Sequence, residues 1–312
     1  FTAYTSGGTA TKIYEKTSPY QNLYLKDLRF AQSADTMYIV HPNYAVRTLT
    51  RSDHNNWTFA AVSFTENSTP TLSSSNNYPS VVSFFEQRLV FGNTNNNPQT
   101  LWFSKNGDYS NFTTGTNADD ALIYTIASNQ VNAIRFLSAT RVLTVGTSGG
   151  EYVVTSTNDG PITPTTTLIR KYSNYGSATI EPVQVADVTL FAQRGKRKIR
   201  EFKFVGDVNT GGYSAPDMTI LAEHITDGGI TQMAYQQEPD SVVWCVRNDG
   251  TLLGLTYRRE EEVVAWHKHV IGGSFSNGQA VVESIATLPT DTGEDELFMV
   301  VKRTINSVTR KY

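Results

Sequence analysis

The chain has 312 residues, of which 39% are hydrophobic and 18% are charged, and its formal net charge at pH 7 is −3. This composition supports a sizeable core and excludes a mainly disordered chain. A slightly acidic balance does not indicate bulk attraction to nucleic acid or to an anionic membrane. The single cysteine, Cys245, excludes an internal disulfide framework and lies beside Trp244 in an apolar run, which indicates a buried structural thiol. No stretch reaches the roughly 18 apolar residues that span a bilayer.

The first residues read FTAYTSGGTATKIYEK and lack the basic start and apolar run of a signal peptide. The chain also does not begin with methionine. We therefore expect the sequence to be a piece of a longer chain.

Short β-rich runs follow one another along the chain, separated by clusters of Gly, Asn, Asp and Pro. A pattern of apolar strand, short polar turn and second apolar strand recurs about every 50 residues, which indicates an internal repeat. The repeat begins, in chain order, at Leu28, Val81, Ala133, Pro182, Thr231 and Val281.

Further strands are predicted after each hairpin. The third strands fall at residues 45–50, 100–104, 150–155, 198–204, 252–257 and 307–312. Weaker fourth strands fall at residues 57–62, 111–114 or 122–125, 166–171, 217–221 and 263–269. Four strands per unit at this period are typical of a β-propeller.

The sequence thus predicts an all-β fold, a single β-propeller domain over residues 1–312 with six four-stranded blades. The expected blades span residues 24–65, 79–116, 121–172, 180–221, 230–270 and 279–312. An N-terminal strand at residues 12–16 would close the ring by pairing with the C-terminal blade, because closure removes two open sheet edges. The alternative is a pair of independent β-sandwiches divided near residues 160–166.

Apolar patterning separates inner from outer strands. The runs RLVF, VTLFA and VVWCV are continuously apolar, as expected of central strands covered on both faces. In KIREFKF, by contrast, charged residues separate Ile199, Phe202 and Phe204, which predicts a strand with one wet face.

Several long segments together resemble one known family. They are AQSADTMYIVHPNY, FFEQRLVFGNTNNNPQTLWFSKNGDYSNFT, VGTSGGEYVV, TPTTTLIRKYSNYGS, AYQQEPDSVVWCVRNDGTLLGLTYRREEEVVAWHKH and DELFMVVKRTINSVTR. Between Tyr24 and Tyr312 the chain resembles the tail-hub or nozzle proteins of bacteriophages and prophages, also described as phage tail or virion stabilisation proteins.

That resemblance implies a structural virion component, a module of a ring around the DNA channel, with no catalysis, cofactor or metal. Its partners would be copies of itself and other phage tail or connector proteins, with transient, non-specific passage of DNA. It would reside in the virion tail after assembly in the bacterial cytoplasm. Neither a small-molecule substrate nor a membrane-spanning segment is expected.

One dense basic cluster lies around a turn of the sequence QRGKRKIRE. Its members are Arg194, Lys196, Arg197, Lys198 and Arg200. In a tail hub these side chains could neutralise the phosphates of passing DNA without reading its bases. The alternative is a solubilising hairpin tip that balances acidic neighbours, and the acidic chain favours it.

A pair of histidines and a nearby acidic run are further candidates for a functional site. His267 and His269 lie two residues apart beside Trp266 and could begin a metal site, although hydrogen bonding at a blade edge is the simpler interpretation. The nearby run 260–262 is interpreted as a solvated hairpin tip.

The alternative function is a glycosidase or carbohydrate-binding propeller directed at a host surface polysaccharide. It would need a pair of carboxylates in a cleft. The candidates recur near the hairpins and are Asp35, Glu86, Glu151, Glu201 and Glu296. Their spacing selects no such pair.

Tyrosines would suit the contacts between subunits, where this residue type is enriched. The candidates are Tyr20, Tyr24, Tyr44, Tyr109, Tyr172 and Tyr175. Several of them are equally compatible with places in the core.

Overall fold

The computed structural model describes residues 2–4, 10–12, 14–72, 76–128, 131–158, 160–206, 212–276 and 278–311. Within these ranges the regular structure is almost entirely β-strand, with one 3-10 helix at Asn22–Asp27. Turn residues recur too often for long helices to form, and the apolar runs between them have strand length.

The first large sheet follows a short antiparallel pair of strands, β1 (Thr2–Tyr4) and β2 (Ala10–Lys12). The strands of the first sheet are β3 (Arg29–Ser33), β4 (Thr36–His41), β5 (Tyr44–Asp53) and β6 (Asn56–Ala61). They pair antiparallel in chain order.

The second sheet shares its part of the chain with a small parallel pair. The strands of this part are β7 (Thr65–Glu66), β8 (Val81–Phe85), β9 (Arg88–Gly92), β10 (Thr100–Phe103), β11 (Asn111–Phe112) and β12 (Leu122–Thr125). The sheet has the order β12-β10-β9-β8, and β7 pairs in parallel with β11. Residues 122–125 therefore complete the second blade rather than open the third, because β12 pairs with β10 along its whole length.

The third and fourth sheets each contain four strands in chain order. The third consists of β13 (Ile134–Ala139), β14 (Leu143–Thr147), β15 (Gly150–Ser156) and β16 (Thr167–Ser173). The fourth consists of β17 (Val183–Val185), β18 (Val188–Ala192), β19 (Ile199–Val205) and β20 (Gly212–Ser214).

The fifth sheet contains β21 (Ile230–Gln236), β22 (Val242–Arg247), β23 (Leu252–Arg258) and β24 (Val263–His269) in chain order. The sixth sheet contains five strands. They are β25 (Ser274–Phe275), β26 (Gly278–Gln279), β27 (Val281–Pro289), β28 (Asp295–Ile305) and β29 (Val308–Lys311). Here β28 is central, since it pairs with β25, β27 and β29.

The chain is an all-β, six-bladed β-propeller with four-stranded antiparallel blades, as the sequence predicts. The alternative of two β-sandwiches is wrong, because each repeat forms its own antiparallel sheet.

The predicted closing strand is not confirmed. In the described residues, β2 pairs with β1, residues 14–16 lie outside the strands, and β29 pairs with β28. Residue 13 lies outside the described ranges.

Two compact units make up the chain: Phe1–Val145 with Val153–Arg170, and Gly146–Tyr152 with Lys171–Tyr312. In the first unit, buried Leu89, Phe91 and Trp102 belong to one apolar cluster. In the second unit, buried Leu190 and Leu253 belong to another. The assignment of the whole chain to one domain stays a prediction.

Burial confirms the predicted inner strands. Every residue of β9, β14 and β18 is buried. The prediction for KIREFKF is wrong, since β19 lies between β18 and β20 and buries its first four residues. Burial of Arg200 and Glu201 there requires internal partners for both charges.

Cys245 is fully buried, and burial raises the pKa of its thiol to about 12. The predicted structural thiol is confirmed, because a neutral, enclosed thiol is not an effective nucleophile. Among the described residues, no helix is both long and apolar enough to cross a membrane.

Candidate functional site

A cavity of about 410 Å³ opens in the second unit, among loops of the fourth and fifth sheets. Its lining comes from residues 185–188, 237–239 and 257–261, together with Tyr235 and Ser241. The volume lies within the range of about 300–1,000 Å³ that is typical of ligand sites.

Strand direction explains why these loops meet. The chain reverses at each turn of a meander, so the first and third turns of a four-stranded blade lie at the same end of its sheet. In the fifth blade, those turns are the β21–β22 and β23–β24 connections, which both line the cavity. The β17–β18 turn of the fourth blade completes it, with Ala186 at a positive φ of 52°.

The rim loop at residues 237–239 is anchored by a carboxylate. Asp295 Oδ2 accepts hydrogen bonds from the backbone N–H groups of Gln237 at 2.7 Å and Glu238 at 3.2 Å. The backbone N–H of Asp295 in turn donates to the Glu238 carbonyl at 3.0 Å. These three bonds hold the loop in one conformation before any ligand arrives, which lowers the entropy cost of binding.

Glu201 of β19 is a buried carboxylate beside this cavity, with 0% of its side chain exposed. Arg259 Nη1 donates to Glu201 Oε2 at 2.5 Å, and Lys203 Nζ lies 3.3 Å from Glu201 Oε1. Burial raises the pKa of Glu201, against the opposing effect of Arg259. Because Lys203 follows two positions later on the strand, it shares the face of Glu201.

Tyr257 lines the cavity and is only 2% exposed, and its hydroxyl is buried beside the carboxylate of Glu201. Burial, the negative charge of Glu201 and a side-chain hydrogen bond to Glu201 all raise the pKa of this hydroxyl. A buried hydroxyl that interacts with Glu201 offers no free hydrogen-bonding group to a ligand, so Tyr257 contributes its ring to the cavity.

The cavity rim is negatively charged. Its exposed carboxylates are Asp187, Glu238, Glu260 and Glu261. Within the described ranges, none of these four carboxylates forms an ion pair. The rim cation Arg258 is neutralised, because its Nη2 donates to Asp240 Oδ1 at 2.7 Å. The site therefore combines an excess of negative charge with tyrosine rings.

The predicted basic cluster does not form one free surface. Lys198 Nζ lies 2.8 Å from Asp217 and 3.0 Å from Glu223, and Arg197 pairs with Asp227 at 3.0 Å.

Arg200 is buried, with its Nε 2.8 Å from Gln193 Oε1 and its guanidinium over the Tyr175 ring. Arg194 and Lys196 lie exposed in the β18–β19 turn. The structure therefore favours the charge-balanced hairpin tip.

The candidate carboxylates also have separate places. Asp35 lies 3.6 Å from Arg51, and Glu86 Oε2 accepts from the backbone N–H of Ile162 at 2.6 Å. Glu296 is an exposed residue of β28. Glu151 and Glu201 are buried on different sheets with different partners. The sequence therefore named Glu201 as a candidate carboxylate but did not indicate which residues surround it.

Sequence reasoning missed Lys203, which shares the face of Glu201 on β19, and also Tyr257 and Arg259, which meet Glu201 only through the packing of two blades. In the sequence, the acidic run 260–262 was a signal that could have indicated this cavity. Two of its residues, Glu260 and Glu261, lie on the cavity rim rather than on an unrelated hairpin tip.

The candidate interface tyrosines mostly pack internally. In the first unit, Tyr20 and Tyr24 contact the Tyr44 ring edge to face, and Tyr109 packs on Tyr38. In the second unit, Tyr172 contacts Tyr213. Such pairs contribute core packing and do not by themselves identify a surface for a partner.

No family model and no curated protein matches the sequence. Solved structures of the yeast protein Hsv2 match its fold. "Kluyveromyces lactis Hsv2 complete loop 6CD" aligns with 88% of this chain and 71% of its own, at 8% identity and a TM-score of 0.50.

Two further structures, of Hsv2p from Kluyveromyces lactis and Hsv2 from Kluyveromyces marxianus, cover 88% and 89% of this chain and 72% and 74% of their own. Their identities are 8% and 10%, and their TM-scores are 0.48 and 0.47. At such identities, a structural match shows the fold alone.

These findings correct the interpretation drawn from the phage resemblance, which is wrong. The three solved structures named above are of Hsv2 rather than of tail proteins, and no sequence comparison supports a phage family. The segments that carried the resemblance are blade hairpins, such as β8–β9, β14–β15 and β22–β24. Their composition reflects strand and turn chemistry that any propeller needs.

The conclusions that rested on that resemblance are wrong with it. They are the structural role in a tail ring, the partnership with copies of itself and tail proteins, the passage of DNA, and the place in the virion. The carbohydrate alternative is likewise unsupported by the matches.

Proposed function

We propose that this chain is a non-catalytic binding module whose acidic cavity holds a lysine or arginine side chain from a basic segment of a partner protein. One observation carries the proposal. Four exposed carboxylates without ion pairs in the described structure surround a cavity of about 410 Å³.

Charge selects the ligand class. The two arginines at the cavity are each engaged with a carboxylate, Arg258 with Asp240 and Arg259 with Glu201. The carboxylates of Asp187, Glu238, Glu260 and Glu261 therefore dominate the local potential. A cation in a partly enclosed site is attracted more strongly than one in bulk water, because the effective dielectric constant is lower there.

The uncharged part of the lining suits the same ligand. Tyr235 and Tyr257 offer aromatic rings, and Pro239 offers an apolar surface for the methylene stem of a long cationic side chain. The Tyr235 hydroxyl is already engaged with Ser241 Oγ at 3.1 Å.

The proposal assigns no reaction to Glu201. A general acid or base must reach the proton that it transfers, and this carboxylate is fully buried behind Arg259. We assign it a positioning role, because it neutralises Arg259 and thereby keeps a positive charge from repelling the ligand.

Isothermal titration calorimetry with a short lysine-rich peptide tests the proposal, with the same peptide carrying acetyl-lysines as the matched ligand control. The triple variant D187N/E260Q/E261Q should weaken binding at least tenfold, because it removes three rim charges while keeping side-chain size. The control variant E262Q changes the neighbouring glutamate, which does not line the cavity, and should bind like the native chain.

Affinity for the lysine peptide should also fall as salt rises, as expected for exposed charges. Equal binding of the acetylated peptide, equal binding by the triple variant, or no binding of either peptide would each reject the proposal.

A further inference from the structure

A second site, independent of the acidic cavity, lies at the other end of the β23–β24 hairpin. His267 and His269 alternate with exposed Lys268 on β24, so both imidazoles lie on the same face of the fifth sheet. The Trp244 ring of β22 contacts both of them, with ring centroids 6.0 Å and 5.0 Å away.

The two imidazoles point ring nitrogens at each other. His267 Nδ1 and His269 Nε2 are 2.7 Å apart, and the ring planes are inclined at 76°. At this distance the two nitrogens share one proton in a hydrogen bond, and a bound cation would displace that proton.

Thr256 of β23 contacts the outer ring nitrogen of His267. Its Oγ1 lies 3.2 Å from His267 Nε2, on the side of the ring away from His269. When Nε2–H donates to this hydroxyl, the lone pair of His267 is on Nδ1, toward His269. Such a hydrogen bond to the outer nitrogen is how proteins fix the tautomer and orientation of a histidine that binds a metal.

Gly254 makes room for the His267 ring. It lies directly opposite His267 in the β23–β24 register. A Cβ at this position would stand 2.0 Å from His267 Cε1, so any other residue would displace the imidazole. Glycine weakens a strand interior and is typical of a position where another group approaches closely.

We propose that His267 Nδ1 and His269 Nε2 form a two-nitrogen chelate for a divalent copper or nickel ion. Imidazole suits Cu²⁺, Ni²⁺ and Zn²⁺ alike, so the spacing of the two nitrogens decides between them. A square-planar ion with bonds of about 2.0 Å at right angles needs nitrogens about 2.8 Å apart. A tetrahedral zinc ion needs about 3.3–3.4 Å.

The observed 2.7 Å is close to the square-planar value and lies well short of the tetrahedral one. Water would supply the remaining ligands, since both imidazoles are partly exposed. Among the described residues, no group of three or more His, Cys, Asp and Glu side chains is arranged around a common point, so a closed structural zinc site is not indicated.

Copper binding to the untagged chain tests the proposal, followed by quenching of tryptophan fluorescence and by electron paramagnetic resonance. We expect one Cu²⁺ per chain and a tetragonal spectrum with coupling to two nitrogens. Nickel should compete for the site more effectively than zinc.

The variants H269N and H267Q each remove one ligand and should weaken copper binding at least tenfold. H224N removes an exposed histidine of the connection between the fourth and fifth sheets and serves as the matched control, with unchanged affinity. T256V keeps both ligands but loses the hydroxyl at Nε2, and should weaken binding roughly tenfold.

Circular dichroism of each variant checks that the sheet is retained, and two ligand variants are used so that a folding defect in one does not decide the outcome. Unchanged affinity in a folded H269N or H267Q, a spectrum without two-nitrogen coupling, or the absence of copper binding would overturn the proposal.

Discussion

Glu151 and Glu201 are two carboxylates of the second unit that look alike in sequence and differ in structure. Each lies on the third strand of its blade, on β15 and β19, and each is fully buried. In each case burial raises the pKa of the carboxyl group. Their partners, however, are of opposite kinds.

Glu151 is held by neutral donors that are buried with it. Its two oxygens accept from the hydroxyls of Ser173 and Ser177, the latter at 2.8 Å. Glu201 is instead held by two cations, of which Arg259 is 47% exposed. A carboxylate enclosed with hydroxyls serves the fold, whereas one whose cationic partner lies at a cavity mouth contributes to a site for charged ligands.

Removal of Glu151 tests whether this carboxylate stabilises the fold, and it should cause the largest loss of stability among these variants. E151A leaves the Ser173 and Ser177 hydroxyls buried without an acceptor, so the free energy of unfolding should fall by about 3 kcal/mol. E201A should cost less, because the side chain of Arg259 can be solvated. Urea denaturation of both variants measures the difference, and a greater loss in E201A would contradict the comparison.

Removal of the Arg259 charge should have an intermediate effect. R259Q leaves Glu201 with Lys203 as its cationic partner, and stability should fall by about 1–2 kcal/mol. The expected loss is smaller than for a fully buried ion pair, because Arg259 is partly exposed and solvent screens its charge. R258Q is the matched control, since its partner Asp240 is exposed and the loss should stay within about 0.5 kcal/mol. Equal losses of stability in R259Q and R258Q would show that buried Glu201 does not depend on Arg259.

The raised pKa of Glu151 predicts a pH dependence with a definite sign. A folded-state pKa above the unfolded value of 4.5 means that the folded chain binds the proton more tightly. This contribution to stability is complete below pH 4.5 and is lost as the pH rises through the folded pKa.

The stability of the native chain relative to E151Q should therefore decrease with rising pH, by at most about 1.4 kcal/mol per pH unit. Denaturant unfolding of both chains from pH 4 to 8 measures it. A relative stability that increases with pH would contradict the assignment.

Substitution at Tyr257 should have a smaller effect on stability than E151A or R259Q. Y257F removes a buried hydroxyl beside Glu201, and the free energy of unfolding should fall by about 1 kcal/mol, because the carboxylate keeps Arg259 and Lys203 as partners. Y235F, the control, breaks the bond to Ser241 and should cost about the same. Thermal unfolding measures both losses, and Y257F should bind the lysine peptide like the native chain, because its aromatic ring remains. A loss in Y257F well above that in Y235F would show that Glu201 depends on this hydroxyl more than on its cations.

The sequence predicts the repeats better than it predicts the site. Local signals were sufficient for the blades, because runs such as VTLFA have strand length and lie between turn residues. The burial of Arg200 and Glu201 was not predicted, since their strand alternates charged and apolar residues and reads as an outer strand.

The site depends on contacts between residues far apart in the chain. Glu201 and Arg259 are separated by 58 positions, and nothing in either local segment indicates that they pair. The same holds for Gln237 and Asp295, which also lie 58 positions apart. By contrast, His267 and His269 were recognisable as a pair because their spacing on one strand places them on one face.

Photo-crosslinking with a lysine-rich peptide that carries a photoreactive group tests the central claim most directly. Mass spectrometry of the crosslinked chain should place the peptide at residues 185–188, 237–239 and 257–261, and D187N/E260Q/E261Q should lose these crosslinks. Crosslinks concentrated elsewhere on the chain, or unchanged in the triple variant, would contradict a cation-binding role for this cavity.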